Sequence, residues 1–294
     1  MTPKEPKETG IEYFSPDALH QEFTTGTTVR RIRFVSEWDR ESTPRMRFQD
    51  PVQCAAMLTD ITEAERRTET LPDDVLLLEI PVNEQDEPDI LERAHKWVQA
   101  TKPRSDEQSQ VITLHGAQIV WCHGVVALIA KEDRLASLQD SIIHFTFYDI
   151  AIKKIENQVR ECWPQFDCDM PLAFEFNEKG VPRREELSQR FQKVMSMKAS
   201  LLRIAPHLNR APIYPVTLAS QMGERLRERG RLSDRIEASV EQIEVLERLY
   251  EMCGQRASEF MLSRNETTLE WIIITLLAMD TILLIVDAML SLGN

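Results

Sequence analysis

The feature that most constrains this chain is its last apolar run, LEWIIITLLAMDTILLIVDAMLSL, residues 269–292. The run holds thirteen Leu, Ile and Val side chains in 24 residues. As a helix it would span about 36 Å at about 1.5 Å per residue, enough for the hydrocarbon core of a bilayer. Trp271 stands where an interfacial aromatic belongs, and Ile272, Ile273 and Ile274 follow it into the apolar stretch. Against this stand Asp280 and Asp287, seven apart and so on one helix face. The aliphatic side chains contribute roughly −4 to −8 kcal/mol to insertion, and two central Asp would cost about +5 to +7. A lone helix therefore inserts marginally, and an oligomer that turns the Asp face inward inserts better. The competing arrangement is a soluble helix buried between subunits or against the rest of the chain. We favour the membrane, with the bulk of the protein left on its cytoplasmic side, or on the matrix side of a mitochondrial membrane.

The rest of the 294 residues is ordinary globular material, 42% hydrophobic and 28% charged. Residues 1–22 read as a disordered polar leader with no apolar export segment. Residues 23–165 alternate strand and helix signals, which predicts a mixed α/β domain. TTVRRIRFV and DDVLLLEIPV read as strands, and EPDILERAHKWVQATK as a helix. SQVITLHGAQIVWCHGVVALIA reads as successive strands broken at Gly116 and Gly124. A helix over residues 131–162 should end at Trp163-Pro164, because proline disfavours helix in the residue before it. Residues 166–182 read as a linker or small hairpin, and residues 183–268 as a helical region. Ile236, Val240, Ile243, Leu246, Tyr250, Cys253, Ala257 and Phe260 recur at steps of three and four, a coiled-coil seam suited to self-association. The fold class is thus α+β: a mixed domain, a helical region with one long helix, and a terminal apolar helix.

The net charge of −13 argues against a general polyanion binder, but the charge is unevenly spread. Residues 1–180 carry the whole −13, while residues 181–230 hold ten Lys or Arg against four Glu. This basic block, with Arg225, Arg227 and Arg229 toward its end and continued to 183–231 by Arg231, is suited to RNA, a ribosome, anionic lipid, or acidic side chains of the protein itself.

The run Leu269-Glu270-Trp271-Ile272-Ile273-Ile274, then Leu276-Leu277 and an acid at 280, resembles the C-terminal signature of the required-for-meiotic-nuclear-division / Sad1-interacting-factor family. His123-Gly124-Val125-Val126 is similar to that family's Gly-Val-Val strand. The layout matches over residues 23–292. The chain departs from the family pattern at Asp280, where Glu is usual, at Asn265, where His is usual, and at Ser239, Val240 and Gln242. The resemblance is that of a divergent member. It implies a membrane-bound, oligomeric protein without established enzymatic activity, linked in mitochondrial members to organelle translation.

Chemistry-bearing residues are sparse. His115, Cys122 and His123, with His144, form the one cluster that suggests a nucleophile or metal site. On a strand, Cys122 and His123 point to opposite faces, so ordinary structural roles are the stronger reading. Five scattered cysteines with no C-x-x-C pair read as reduced thiols. Gly26 in TTGTT lacks the Lys-Ser/Thr of a phosphate loop, and the acids between Asp73 and Asp89 lack calcium-loop spacing. We therefore expect no cofactor, no metal and no small-molecule substrate. The expected protein is a self-associating membrane scaffold, with an enzyme near His115, Cys122 and His123 as one alternative and RNA binding through the basic block as another.

Overall fold

A computed structural model of the chain describes residues 23, 26–37, 43–48, 52–61, 73–82, 89–101, 108–208 and 217–292. The leader expected over residues 1–22 lies outside them. The chain forms two compact units, residues 1–156 with 201–238, and residues 157–200 with 239–294.

The first unit is built on a seven-stranded mixed sheet. Its strands are β1 (Thr28–Val35), β2 (Met46–Arg47), β3 (Ala55–Asp60), β4 (Val75–Pro81), β5 (Gln110–Leu114), β6 (Ala117–Cys122) and β7 (Val125–Ala130). They lie in the order β2-β3-β1-β4-β7-β6-β5, antiparallel except for the β4–β7 pair. That parallel pair needs a crossover, and helix α1 (Ile90–Thr101) with the β5–β6 hairpin supplies it. His115 and Gly116 make the two-residue hairpin turn, both with positive φ (47° and 81°), the backbone of a type I′ turn. Gly124, at φ 83°, turns β6 into β7.

β4 and β7 are buried on both faces, which explains their near-continuous apolar runs. On one face Leu78, Ile80, Val120, Cys122, Val125, Ala127 and Ile129 pack under Ile90, Ala94, Trp97 and Val98 of α1. The other face meets helix α2 (Glu132–Phe174), where Trp121 lies edge-on to Phe145 at 5.0 Å. Helix α4 (Leu218–Arg229) closes this side, and Ser141 on α2 donates to the Ala219 carbonyl at 2.7 Å. Gly230, just past α4, packs against the Phe145 ring, and a Cβ there would come within 2.9 Å of it.

His144 on α2 sits beside Phe48 and Tyr148. Burial, helped by Arg227 and His207, pulls its pKa down to about 4. In the unfolded chain it takes up a proton near pH 6.5, so the unit should lose stability as pH falls from about 6.5 toward 4. Replacing His144 by Phe removes this pH dependence. Urea titrations at pH 7 and pH 5 should show a loss on the order of 2 kcal/mol in the parent and a clearly smaller one in the variant.

The second unit is helical. α2 runs unbroken through Pro164 and Pro171 to Phe174, contrary to the sequence expectation that it stops at Trp163. Proline there removes one backbone hydrogen bond, but Cys162, Asp169 and Ala173 are buried on the same helix and packing holds the line. Residues 166–174, expected in a linker, therefore belong to α2, with Asp169 and Ala173 buried. A 3-10 turn (Glu178–Arg183) leads into helix α3 (Arg184–Leu208), and the chain ends in helix α5 (Leu232–Leu292). Trp163 reaches Gln242, Cys253 the Asp169 carbonyl, and Phe176 the ring of Phe260. Partners on both helices thus rise together, so α2 and α5 run parallel. α3 runs back between these levels, with Lys198 bonded to Glu247 and Lys193 3.5 Å from Glu161.

Candidate functional site

Beyond Phe260, α5 leaves the bundle. Residues 262–285 are exposed on every side of the helix. Twelve large apolar side chains between Leu269 and Ile285, Trp271 and Ile272–274 among them, are each 50–65% exposed. The helix is long and apolar enough to cross a membrane, and its most apolar window buries nothing. A soluble surface does not tolerate this many adjacent apolar side chains without a cover. The two threonine hydroxyls on the segment are satisfied internally. Thr275 donates to the Trp271 carbonyl at 2.8 Å and Thr281 to that of Leu277 at 2.7 Å. This is how hydroxyls are accommodated where water is absent. Asp280 is also exposed.

The predicted seam sits at the base of this helix, in a different role from the one expected. Ile243, Leu246, Tyr250, Cys253 and Ala257 are buried within the single chain, with Ile236, Val240 and Phe260 half-buried. Val159, Cys162, Leu187, Val194 and Met197 from α2 and α3 are buried in the same unit. The heptad spacing signalled an intramolecular bundle, because three helices of one chain satisfy a three-four stripe as well as two chains do. The seam is therefore not a free self-association surface.

A charge clamp locks the bundle. Asp169 on α2 is fully buried and accepts from Arg183 and Arg190, and Arg190 also bonds Glu186. Burial and the Asp169 charge push the Cys253 thiol up to about 11 and raise the Tyr250 phenol. Nothing in the spacing of Asp169 distinguished it from the surface acids around it.

The His115–Cys122–His123 group is not assembled. His115 is exposed in the β5–β6 turn, while His123 sits in the β6–β7 turn at the opposite end of β6. Cys122 is buried under α1. The alternation of side chains along β6 places the thiol and the imidazole on opposite faces. His123 instead bonds Asp149 on α2 through Nδ1 at 2.9 Å. Arg235 donates to the other Asp149 oxygen at 2.6 Å and to both oxygens of Glu156. Burial raises the Asp149 carboxyl, but His123 and Arg235 more than offset it and hold the group below its ordinary value. Replacing Arg235 by alanine should cost about 3 kcal/mol, the penalty of an underpaired buried charge. A carboxyl with a lowered folded pKa stabilises above its unfolded pKa and loses that contribution as pH falls through the folded one. The difference between parent and variant in urea should therefore hold between pH 5 and 8 and shrink below about pH 4.

Glu79, on β4, is a second buried acid. It accepts from Gln139 at 2.6 Å and Thr28 at 3.4 Å, with Arg30 3.3 Å away, and burial raises its carboxyl. Its pairs are internal, and it reads as part of the sheet's packing. Among the described residues no group of three or more His, Cys, Asp or Glu is placed to hold a metal ion.

Part of the basic block is paired with the chain's own acids. Besides the Asp169 clamp and the α3 pairs, Arg225 bonds Glu228 and Arg231 bonds Asp234. Arg227 faces His144, and Arg229 is exposed. Arginines with acids three residues on form helix-surface ion pairs of this kind.

No family model matches the chain, and no curated protein matches it. Among solved structures, the chain is similar to that of the full-length CmaX protein, with 10% identity over 72% of this chain and 76% of that one, at a TM-score of 0.37.

Proposed function

We propose that this chain is a non-enzymatic scaffold that self-associates and is anchored in a bilayer by residues 269–292. The observation that carries this reading is the apolar end of α5, which is uncovered on all sides over Leu269–Ile285. Uncovered Leu and Ile side chains at this density gain roughly 0.3–0.6 kcal/mol each from lipid. The bundle and the sheet unit stand on the N-terminal side of the anchor, with Arg248, Arg256 and Arg264 preceding it on α5, as suits a cytoplasmic or matrix-facing bulk. The proposed role is to hold the sheet unit, and a partner docked on it, at that membrane surface. The Leu-Glu-Trp signature supports divergent membership of the required-for-meiotic-nuclear-division / Sad1-interacting-factor family, and with it a role in membrane organisation or translation.

Carbonate extraction and vesicle flotation test the reading. The full chain should stay with the lipid at pH 11 and be released by detergent. Quantitative recovery as a soluble monomer in salt without detergent overturns it.

A further inference from the structure

We propose that Arg227, His207 and His144 form a binding site for a phosphate group, free or carried by a small phosphate monoester, where α2, the end of α3 and α4 meet in the sheet unit. The site is independent of the membrane anchor.

Packing brings the three side chains together. α4 lies along α2 in the same direction. The Ser141 hydroxyl on α2 reaches the Ala219 carbonyl at 2.7 Å, and a Cβ at Gly223 would stand 3.8 Å from that of Ser141. One turn further along α2, the Phe145 ring lies against Gly230. Arg227 is four residues after Gly223, and His144 three after Ser141, so the same contact row sets them side by side. His207 comes from the last turn of α3. Arg227 and His207 are both close enough for their charges to oppose a proton on His144. All three residues are half-buried, which leaves them within reach of a solute.

The cluster is cationic and has no acid of its own. Among the described residues, neither Arg227 nor His207 is bonded to a carboxylate. Asp140, one turn before His144 on α2, accepts from Arg45 at 2.9 Å, and Glu228 accepts from Arg225 at 3.1 Å. Glu224, three residues before Arg227 on α4, is bonded to neither Arg227 nor His207. Arg227 thus differs from Arg183, Arg190, Arg225 and Arg231, which all have their carboxylates in place. A partly desolvated guanidinium facing two imidazoles is unfavourable in itself, and a bound anion relieves it.

The donor set fits a tetrahedral oxyanion. A guanidinium offers a fork of N–H groups, and each imidazole adds a donor. A phosphate monoester near neutral pH carries about −1.5 to −2 charges and three oxygens that accept such bonds, whereas a carboxylate has one charge and two oxygens. The Tyr148 ring, 4.9 Å from the His144 ring, and the Phe48 ring, at 6.1 Å, wall one side. Apolar walls lower the local dielectric and strengthen charge-assisted bonds. A polynucleotide needs a row of unpaired cations, and here the flanking Arg225 and Arg231 are engaged with Glu228 and Asp234.

Equilibrium dialysis of the detergent-solubilised full chain against inorganic phosphate and adenosine 5′-monophosphate tests the site at pH 7. Arg227→Ala should weaken both ligands about tenfold or more, while Arg229→Ala, at an exposed arginine, should change them less than about twofold. His207→Ala reads the same site from another helix and should weaken both about threefold or more. Equal affinities for the two ligands uphold the site and assign recognition to the phosphate alone. Tighter binding of the nucleotide upholds it and adds a contact from the organic part. Histidine hydrogen–deuterium exchange, read by peptide mass, follows the proton on His144. Its midpoint, about 4 in the free protein, should rise by about one pH unit or more in saturating phosphate. Arg227→Ala without phosphate should raise it as well, because a repelling charge is gone. The inference is overturned by absence of saturable binding of both ligands up to about 10 mM, or by equal losses in the Arg227 and Arg229 variants. It is also overturned by a His144 midpoint that phosphate does not move. Binding of single-stranded RNA without either small ligand overturns it in favour of a polyanion surface.

Discussion

A chain ended after Arg264 is expected to move wholly from the membrane to the soluble fraction while keeping its fold. Both halves of this result follow from burial. Residues 265–285 are exposed on every side, so deleting them removes no core contact. Among the described side chains, the last buried one on α5 is Ala257, with Phe260 half-buried against Phe176. Thermal unfolding of the truncated chain should therefore match the detergent-solubilised parent within about 2 °C, since surface changes away from core features stay within about 0.5 kcal/mol. Membrane partition should change far more. The anchor holds roughly −4 to −8 kcal/mol of aliphatic transfer against the cost of Asp280 and Asp287, and the truncation removes all of it. Flotation and circular dichroism on one preparation read both quantities. A truncated chain that unfolds would mean that the apolar helix end is a buried core element after all.

Replacing Asp169 by alanine is expected to open the helical bundle. The carboxylate is fully buried and is the shared acceptor of Arg183 and Arg190. Removing one partner of a buried ionic group costs about 3–5 kcal/mol, because the remaining charges lose their compensation. Arg183 and Arg190 are partly exposed and can recover some hydration, so the lower end, about 3 kcal/mol, is expected. Asp169→Asn keeps the shape and one acceptor oxygen and should cost less than alanine. Cys253 gives a local readout. Its buried thiol, pushed up to about 11 by burial and by Asp169, should resist maleimide in the parent. In the alanine variant Cys253 should label within minutes, located by peptide mass, while Cys122 under α1 stays protected. Unchanged Cys253 protection would show that the clamp carries little of the bundle's stability.

Much of the architecture was legible because it rests on local pattern. The β5, β6 and β7 strands, the glycine turns at Gly116 and Gly124, helix α1 and the three-four stripe on α5 all fall where periodicity puts them. Pro164 misled because a proline rule describes the backbone of an isolated helix. In the chain, the buried face of Cys162, Asp169 and Ala173 outweighs one missing hydrogen bond. The seam was visible, but not its partner, since stripe spacing is the same for a bundle within one chain and a coil between two.

The sequence by itself determined the existence of an apolar helix of membrane length, because hydrophobicity and length are additive along the chain. It also indicated β1, β4, the β5–β7 strands and α1, through periods of two and of three to four. The tertiary structure decided which faces are spent. It buried the seam of α5 inside the chain, paired Arg183 and Arg190 with Asp169, Arg225 with Glu228 and Arg231 with Asp234, separated His115 from His123, and left Leu269–Ile285 bare. Those outcomes depend on which distant residues meet, and that is set by packing of whole elements rather than by any local stretch.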